Sequence, residues 1–255
     1  MDAGTNVEAH GAVRTRVVGV PVDVVEPDEL ETIVGRIISE PGQDQVVFLT
    51  FRGLMRARRN KEYRGMLQHS RLIIPVSPAI VRGARFLGRT VPPRYEPFNF
   101  VIRLLGILEK KRASLYLFGL GKRHLLHVEQ NLRETFPGLR LVGRYPGHYP
   151  RGVERDIITA IKKASPSMLL VGPGVPKGDL WIQRHKPLFN NGMYLSAPEV
   201  MDIFADRRAR EVQGGLGPAL RRAGAMVLHP WWLLRGITYI WYGMLLVIYR
   251  IFKLR

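Results

Sequence analysis

Ser114-Leu115-Tyr116-Leu117-Phe118-Gly119-Leu120-Gly121-Lys122 and Ser167-Met168-Leu169-Leu170-Val171-Gly172-Pro173-Gly174-Val175-Pro176-Lys177 share one pattern. Each is a short apolar run without polar alternation, closed by glycine and followed by lysine. Such a run, bounded by turn residues, reads as a strand buried on both faces. The glycines allow close backbone approach to a phosphate at a helix N-terminus, and the lysine adds a mobile positive charge. Neither loop is a GxGxxG or a Walker A motif, and each alone fits an ordinary strand-to-helix turn equally well.

Reading outward from these two runs, strands and helices alternate. Val17–Val24 is β-like and ends at Pro27, and Asp28 then reads as the N-cap of a helix through about Ser39. Gln45–Thr50 is a short strand that runs into a basic helix, Leu54–His69. Arg71–Ile74 is a strand opening the loop Pro75-Val76-Ser77-Pro78, and Ile80–Leu87 follows as a helical segment. Pro92, Pro93 and Pro97 mark a loop before a long helix, Phe98–Lys111. A helix to about Thr135 follows Gly121. Then come a strand at Leu139–Gly143, a loop holding Gly147-His148-Tyr149, and helices at Val153–Ala164 and Asp179–His185. The expectation is an α/β fold: a parallel-sheet, Rossmann-like body covered by helices. The domain reading is a polar tail over 1–14, the α/β body over 15–206, and a basic appendage over 207–255.

Composition narrows the function. There is no cysteine in 255 residues, which excludes disulfides, zinc–thiolate sites, iron–sulfur clusters and a cysteine nucleophile. Lys+Arg 39 against Asp+Glu 21 gives a net charge of +18, a surface that attracts polyanions such as anionic lipid or diphosphates. The same charge also fits a merely solvated basic surface. No nucleic-acid motif accompanies it, so nucleic acid is not an expected partner.

The first fourteen residues, MDAGTNVEAHGAVR, lack the apolar core of a signal peptide. The other end differs. Gly236–Tyr249 is fourteen uncharged residues between Arg235 and Arg250, shorter than the roughly 18–20 that span a bilayer. Trp231, Trp232, Trp241, Tyr239, Tyr242 and Tyr249 are residue types that settle at a lipid–water interface, and Arg250, Lys253 and Arg255 follow without a nearby acid. Membrane docking is the expectation, against a C-terminal core helix or a single-span tail.

Four blocks together resemble the WecG/TagA/CpsF glycosyltransferase family. They are Val46–Tyr63, Ser114–Tyr149, Ser167–Ile182 and Met201-Asp202-Ile203-Phe204-Ala205, within a likeness covering roughly residues 17–235. The resemblance implies transfer of an N-acetylmannosamine-class sugar from a UDP-sugar, needing no other cofactor, to a polyprenyl-diphosphate-linked glycan. It places the protein peripherally on the cytoplasmic face of the inner membrane and leaves homo-oligomerisation open. It implies retained contacts at Thr50, Arg94, Pro176, Lys177, Asp202, Arg221 and Arg235.

The departures fall at chemical positions. The loop that carries the family's proposed general-base aspartate is here Pro75-Val76-Ser77-Pro78, and valine accepts no proton. Arg52 replaces an asparagine, Asn99 an aspartate, and Gly178-Asp179 a glutamine–glutamate pair. Glu96 lies in a loop expected to border the same cleft and is read as a stand-in for the missing carboxylate, so Thr50 and Glu96 are the catalytic candidates. The donor and acceptor contacts expected are Arg94, Asn99, Gly119, Gly121, His148, Gly172, Gly174, Pro176, Lys177, Asp179, Asp202, Arg221 and Arg235. His148 reads equally as a loop histidine.

His124 and His127 read as a surface helix rather than a metal site, and no metal site is expected. Arg56, Arg58, Arg59, Lys61 and Arg64 read as a solvated face or an inward phosphate patch. Two functions follow. One is an active UDP-sugar-dependent hexosyltransferase. The alternative, which Val76 favours, is an inactive homologue that binds glycolipid or scaffolds a polysaccharide pathway.

Overall fold

The computed structural model describes residues 7–9, 12–208 and 231–252. The chain divides into two compact units, Met1–Arg208 and Ala209–Arg255.

The first unit opens with β1 (Val7–Ala9), β2 (Ala12–Val17) and β3 (Val20–Val24), an antiparallel sheet in that order. Residues 1–14, read as a tail, therefore include β1 and the start of β2. Val17–Val24, read as one strand, is the end of β2, a two-residue turn and β3. Val17 pairs with Val20, and Val18 and Gly19 have φ of 48° and 78°, the two positive values of a type I′ turn. A buried β-branched residue seldom adopts such a φ, so the sequence carried no turn signal at Val18. The Arg58 guanidinium donates to the Val18 carbonyl at 2.8 Å and helps hold the turn.

Next come α1 (Leu30–Ser39), β4 (Gln43–Leu49), α2 (Phe51–Arg59), α3 (Lys61–Gln68), β5 (Leu72–Pro75), α4 (Pro78–Phe86) and α5 (Pro97–Lys110). Glu29, not Asp28, occupies the N-cap of α1. The basic helix read over 54–69 is two helices. Asn60 leaves the helical region at φ −115° and caps α3, its Oδ1 accepting the Tyr63 N–H at 2.7 Å. The chain continues through β6 (Ser114–Phe118), α6 (Lys122–Thr135), β7 (Arg140–Tyr145), α7 (Glu154–Ala164), β8 (Met168–Val171), α8 (Gly178–His185), β9 (Gly192–Ser196) and α9 (Pro198–Phe204).

Strands β4 to β9 form a six-stranded sheet in the order β5-β4-β9-β8-β6-β7, with every adjacent pair parallel. This is the α/β Rossmann-like body that the apolar runs predict. Leu115 and Leu117 point into a core with α1, α5, α6 and α9, while Tyr116 and Phe118 point to α7 and α8. That alternation is the period-two geometry of a strand buried on both faces. The sequence reading missed β9, which lies at the centre. It is five residues long and follows Asn190-Asn191, a turn-like pair.

The antiparallel sheet is fastened to the edge strand β5 by one carboxylate. Asp23, 1% exposed, accepts from Arg14 Nε at 2.6 Å, Arg14 Nη2 at 2.9 Å and the Ile73 N–H at 2.7 Å. Arg14 also donates to the carbonyls of Ser70 and Arg71. An outward N–H on an edge strand would otherwise lack a partner.

In the second unit, α10 (Trp231–Ile251) extends the fourteen-residue apolar run to 21 residues. Among the described residues no helix is long and apolar enough to cross a membrane.

Candidate active site

All six parallel strands end on one edge, and the loops leaving that edge hold most of the residues singled out above. From β6 the chain passes to β7 on one side and returns to β8 on the other. Such a switch in direction leaves a crevice at the carboxyl ends of the strands. The loops after β6, β7 and β8 are joined there through glycine. A Cβ on Gly119 would lie 2.7 Å from the Cα of Gly172, and one on Gly147 would lie 2.6 Å from the Pro173 carbonyl oxygen. Gly119 N–H donates to the Tyr145 carbonyl at 3.0 Å, Gly172 N–H to Phe118 at 2.7 Å, and Gly147 N–H to Leu120 at 2.9 Å. These amides are engaged within the protein, so Gly119, Gly147 and Gly172 serve close packing of backbone. Gly121 differs: it precedes α6, and a Cβ there would meet nothing within 4 Å. Gly174, at φ 92°, lies against the ring of His148. Pro176 and Lys177 are exposed, and Lys177 adopts φ 51° immediately before α8.

The opposite bank is built by β4 and β5. Val46 pairs with Leu195, so β4 runs on past Ser196, the last residue of β9. The sheet therefore steps down from β4 to β9 and β8, which end level with each other, with Thr50 and the β8 loop on either side. Thr50 caps α2, its Oγ1 accepting the Gly53 N–H at 3.0 Å. Val76 lies alongside, its N–H donating to the Leu49 carbonyl at 3.1 Å, and Ser77 Oγ accepts the Phe51 N–H at 2.9 Å. Arg94 Nε donates to the Val76 carbonyl at 3.3 Å, which brings Arg94 to the same loop. Glu96 begins α5, and its Oε2 accepts from Asn99 Nδ2 at 2.6 Å. Thr50, Val76 and Arg94 thus stand together, while Glu96 and Asn99 are paired with each other.

Between the banks, the first turn of α8 carries Asp179. Its Oδ1 is shielded from water and has no hydrogen-bond partner among the described residues. Burial pushes this carboxyl up to about 7, against the pull of the Arg56 guanidinium. Gln45 Nε2 donates to the Asp179 carbonyl at 2.8 Å, which fixes the start of α8 to β4. Gln183, one helical turn after Asp179, and Gln45 each have a buried side-chain oxygen without a partner. Arg56 lies over the Tyr63 ring at 4.7 Å. A Cβ on Gly53 would lie 3.0 Å from Tyr63 Oη and 3.4 Å from Thr50 Oγ1, so the phenol borders the Thr50 turn. Burial first, and then the charge of Asp179, raise the Tyr63 phenol.

A third cluster orders the loop after β7. Glu154 Oε1 accepts from Trp181 Nε1 at 2.9 Å and from the Tyr149 hydroxyl at 3.0 Å. The Trp181 bond is the larger cause that holds this carboxyl below its ordinary value, with Tyr149 adding to it against partial burial. Tyr149 adjoins His148, so Glu154 ties the His148 loop to α8.

The remaining candidates lie elsewhere. Asp202 on α9 is ion-paired with Arg207 at 3.1 Å. Arg221 and the side chain of Arg235 fall outside the described residues. His127 pairs with Asp206 at 2.7 Å. The basic cluster divides its work. Arg56 stacks on Tyr63, Arg58 holds the Val18 turn, and Arg64 bonds the carbonyls of Ala57 and Arg58 at the end of α2. Sequence reasoning missed Gln45, Tyr63 and Gln183 as members of the site. One signal was available: a glutamine opening the apolar run Gln45-Val46-Val47-Phe48-Leu49 is a buried polar group in need of a partner.

Fold and crevice define a Rossmann-like α/β protein with a candidate ligand site at the carboxyl edge of its sheet. The chain matches the glycosyl transferase WecG/TagA/CpsF family over residues 15–213 and belongs to that family. It is 21% identical over 211 residues to the N-acetylglucosaminyldiphosphoundecaprenol N-acetyl-β-D-mannosaminyltransferase of Bacillus subtilis (strain 168), covering 82% of this chain and 78% of that protein. The protein of the same name from Bacillus spizizenii is 21% identical over 149 residues, covering 58% of this chain and 57% of that protein. The one from Staphylococcus aureus (strain NCTC 8325) is 18% identical over 154 residues, covering 60% of each chain.

Proposed function

We propose that this protein transfers an N-acetylmannosamine-class sugar from a UDP-sugar to a polyprenyl-diphosphate-linked N-acetylglucosamine. The observation that carries the reading is the crevice itself. Thr50, Arg94 and the Gly172–Lys177 loop all lie at the carboxyl edge of the parallel sheet, inside the stretch over which the chain matches its family. Positioning and cationic stabilisation of the departing diphosphate supply most of the catalysis such a site can offer. Arg94 and Lys177 are the described cations for that role. Gly121 opens α6 toward the same edge, and His148 lies beside the β8 loop, where each meets the donor.

The protein works as a peripheral protein at the cytoplasmic face of the inner membrane. On α10, Ile237, Ile240, Met244, Val247 and Ile251 recur at helical spacing and are between 45% and 74% exposed. An exposed apolar stripe beside Trp241 and Tyr239, on a strongly cationic chain, suits an anionic lipid surface.

Val76 favours a second reading, a glycolipid-binding homologue without transferase activity. Calorimetry separates the two. The transferase binds both UDP and a polyprenyl-diphosphate N-acetylglucosamine, with Lys177→Ala weakening UDP binding. A glycolipid binder takes up the lipid alone.

A further inference from the structure

A sugar hydroxyl attacking an anomeric carbon loses its proton as the bond forms, and a positioned base greatly eases that loss. The β5 loop offers none, since Val76 stands beside Thr50 there. Three carboxylates at this edge, and Asp202 on α9 outside it, invite comparison. Glu96 Oε2 is taken by Asn99, Asp202 by Arg207, and Glu154 by Trp181 and Tyr149. Among these, Asp179 is the one whose buried oxygen has, among the described residues, neither a hydrogen-bond donor nor an ion-pair partner.

The fold keeps it that way. A Cβ on Gly178 would meet Ser196 Oγ at 2.4 Å and Ser196 Cβ at 3.3 Å, so the first turn of α8 lies against the end of β9. Gln45 grips the Asp179 carbonyl from below. The cation on α2 that could answer the charge, Arg56, is stacked on Tyr63 instead. The charged and titratable groups facing Asp179 are therefore Arg56 from α2 and Tyr63 from α3, while β4 and β9 present only neutral Gln45 and Ser196. Tyr63 Oη in turn borders the Thr50 turn at the crevice.

We propose that Asp179 is the proton acceptor of the transfer step, in the place of the carboxylate absent at Val76. The inference rests on the transferase reading above. In the step, the acceptor hydroxyl oxygen bonds to the anomeric carbon of the donor. The anomeric carbon–oxygen bond to UDP breaks, and its electron pair leaves on the diphosphate. The hydroxyl proton passes to the Asp179 carboxylate and then to water. Burial sets this carboxyl near neutrality, so it is both deprotonated in part and basic enough to act at the pH of the cytoplasm.

The test uses the full chain, UDP-N-acetylmannosamine and a short polyprenyl-diphosphate N-acetylglucosamine. In the wild type kcat rises with pH through about 7 and then levels. Asp179→Asn lowers kcat by about 10²–10⁴-fold, flattens that profile and leaves KM for the donor within about twofold. Asp179→Glu recovers part of the rate. Carbon-13 aspartate spectra of the wild type, which need no variant to fold, show a carboxyl titrating near neutrality. An Asp179→Asn protein that is folded and keeps the wild-type kcat and pH profile overturns the inference while leaving the transferase reading intact. So does an Asp179 carboxyl titrating in the ordinary range. A wild type that transfers no sugar overturns both.

Discussion

Gly119 and Gly172 lie so close that a single added carbon on the first would stand 2.7 Å from the Cα of the second. Their contact welds the loop after β6 to the loop after β8, and the Gly172 N–H bond to the Phe118 carbonyl reinforces it. Gly119 also sits at φ 149°, a backbone conformation that side chains rarely adopt. The two glycine loops are thus one structure.

Gly119→Ala should separate the loops. The neighbour is backbone and cannot swing away, so the cost in stability should be about 2 kcal/mol or more. In a domain of this size that lowers Tm by several degrees. UDP affinity should fall with it, read by calorimetry on the folded fraction. A variant with wild-type Tm and wild-type UDP affinity would show that the loops are independent.

Asp23 predicts a different failure. Asp23→Ala leaves the part-buried Arg14 without this counter-charge and the Ile73 N–H without its acceptor. Breaking one partner of a buried pair typically costs about 3–5 kcal/mol. Denaturant midpoints should fall accordingly. Since its bonds are to Arg14 on β2 and to the body of β5 and not to the crevice loops, kcat of the surviving folded protein should stay near that of the wild type.

Asp179 links stability to pH. Its folded-state value lies above its unfolded value, so folding favours the protonated form. Its contribution is fully present below the unfolded value and is lost as pH rises through about 7. Asp179→Asn should remove that slope and raise Tm at mildly alkaline pH, while lowering activity. The gain should be of the order of the cost of an unpartnered buried acceptor, about 1–3 kcal/mol. Parallel melts at acidic and alkaline pH check the sign: a variant less stable than the wild type at alkaline pH contradicts it.

The appendage predicts lipid binding. The full chain should float with anionic vesicles at low salt and lose part of that binding at high salt, as screening acts on Arg235, Arg250, Lys253 and Arg255. A chain lacking residues 226–255 should stay unbound with its α/β unit folded. Absence of binding by the full chain at low salt would remove the peripheral-membrane reading.

Much of the fold was legible because buried parallel strands are plain apolar runs. Leu115–Phe118 and Met168–Val171 could hardly be anything else once glycine closed them. What escaped depended on tertiary contacts. Val18 takes a turn conformation against its own preference because burial and Arg58 hold it there. Asn60 breaks a helix whose residues on both sides favour continuing. Gly192–Ser196 is central only because β4 and β8 enclose it. At the site, the glycines announced close approach, but not that their amides are spent on carbonyls. Asp179 was readable as a residue and not as an isolated charge. Its buried oxygen lacks a bonded partner among the described residues while Arg56, whose charge still reaches it, lies over Tyr63, across two helices that the sequence presents as one.

The most direct measurement is transfer itself. Full-length protein is incubated with radiolabelled UDP-N-acetylmannosamine and a polyprenyl-diphosphate N-acetylglucosamine, and label is counted in the lipid fraction together with released UDP. The account predicts label in the lipid in equal amount to the UDP released. Lipid that binds the protein yet acquires no label from any UDP-N-acetylhexosamine, with UDP release at background, would contradict it.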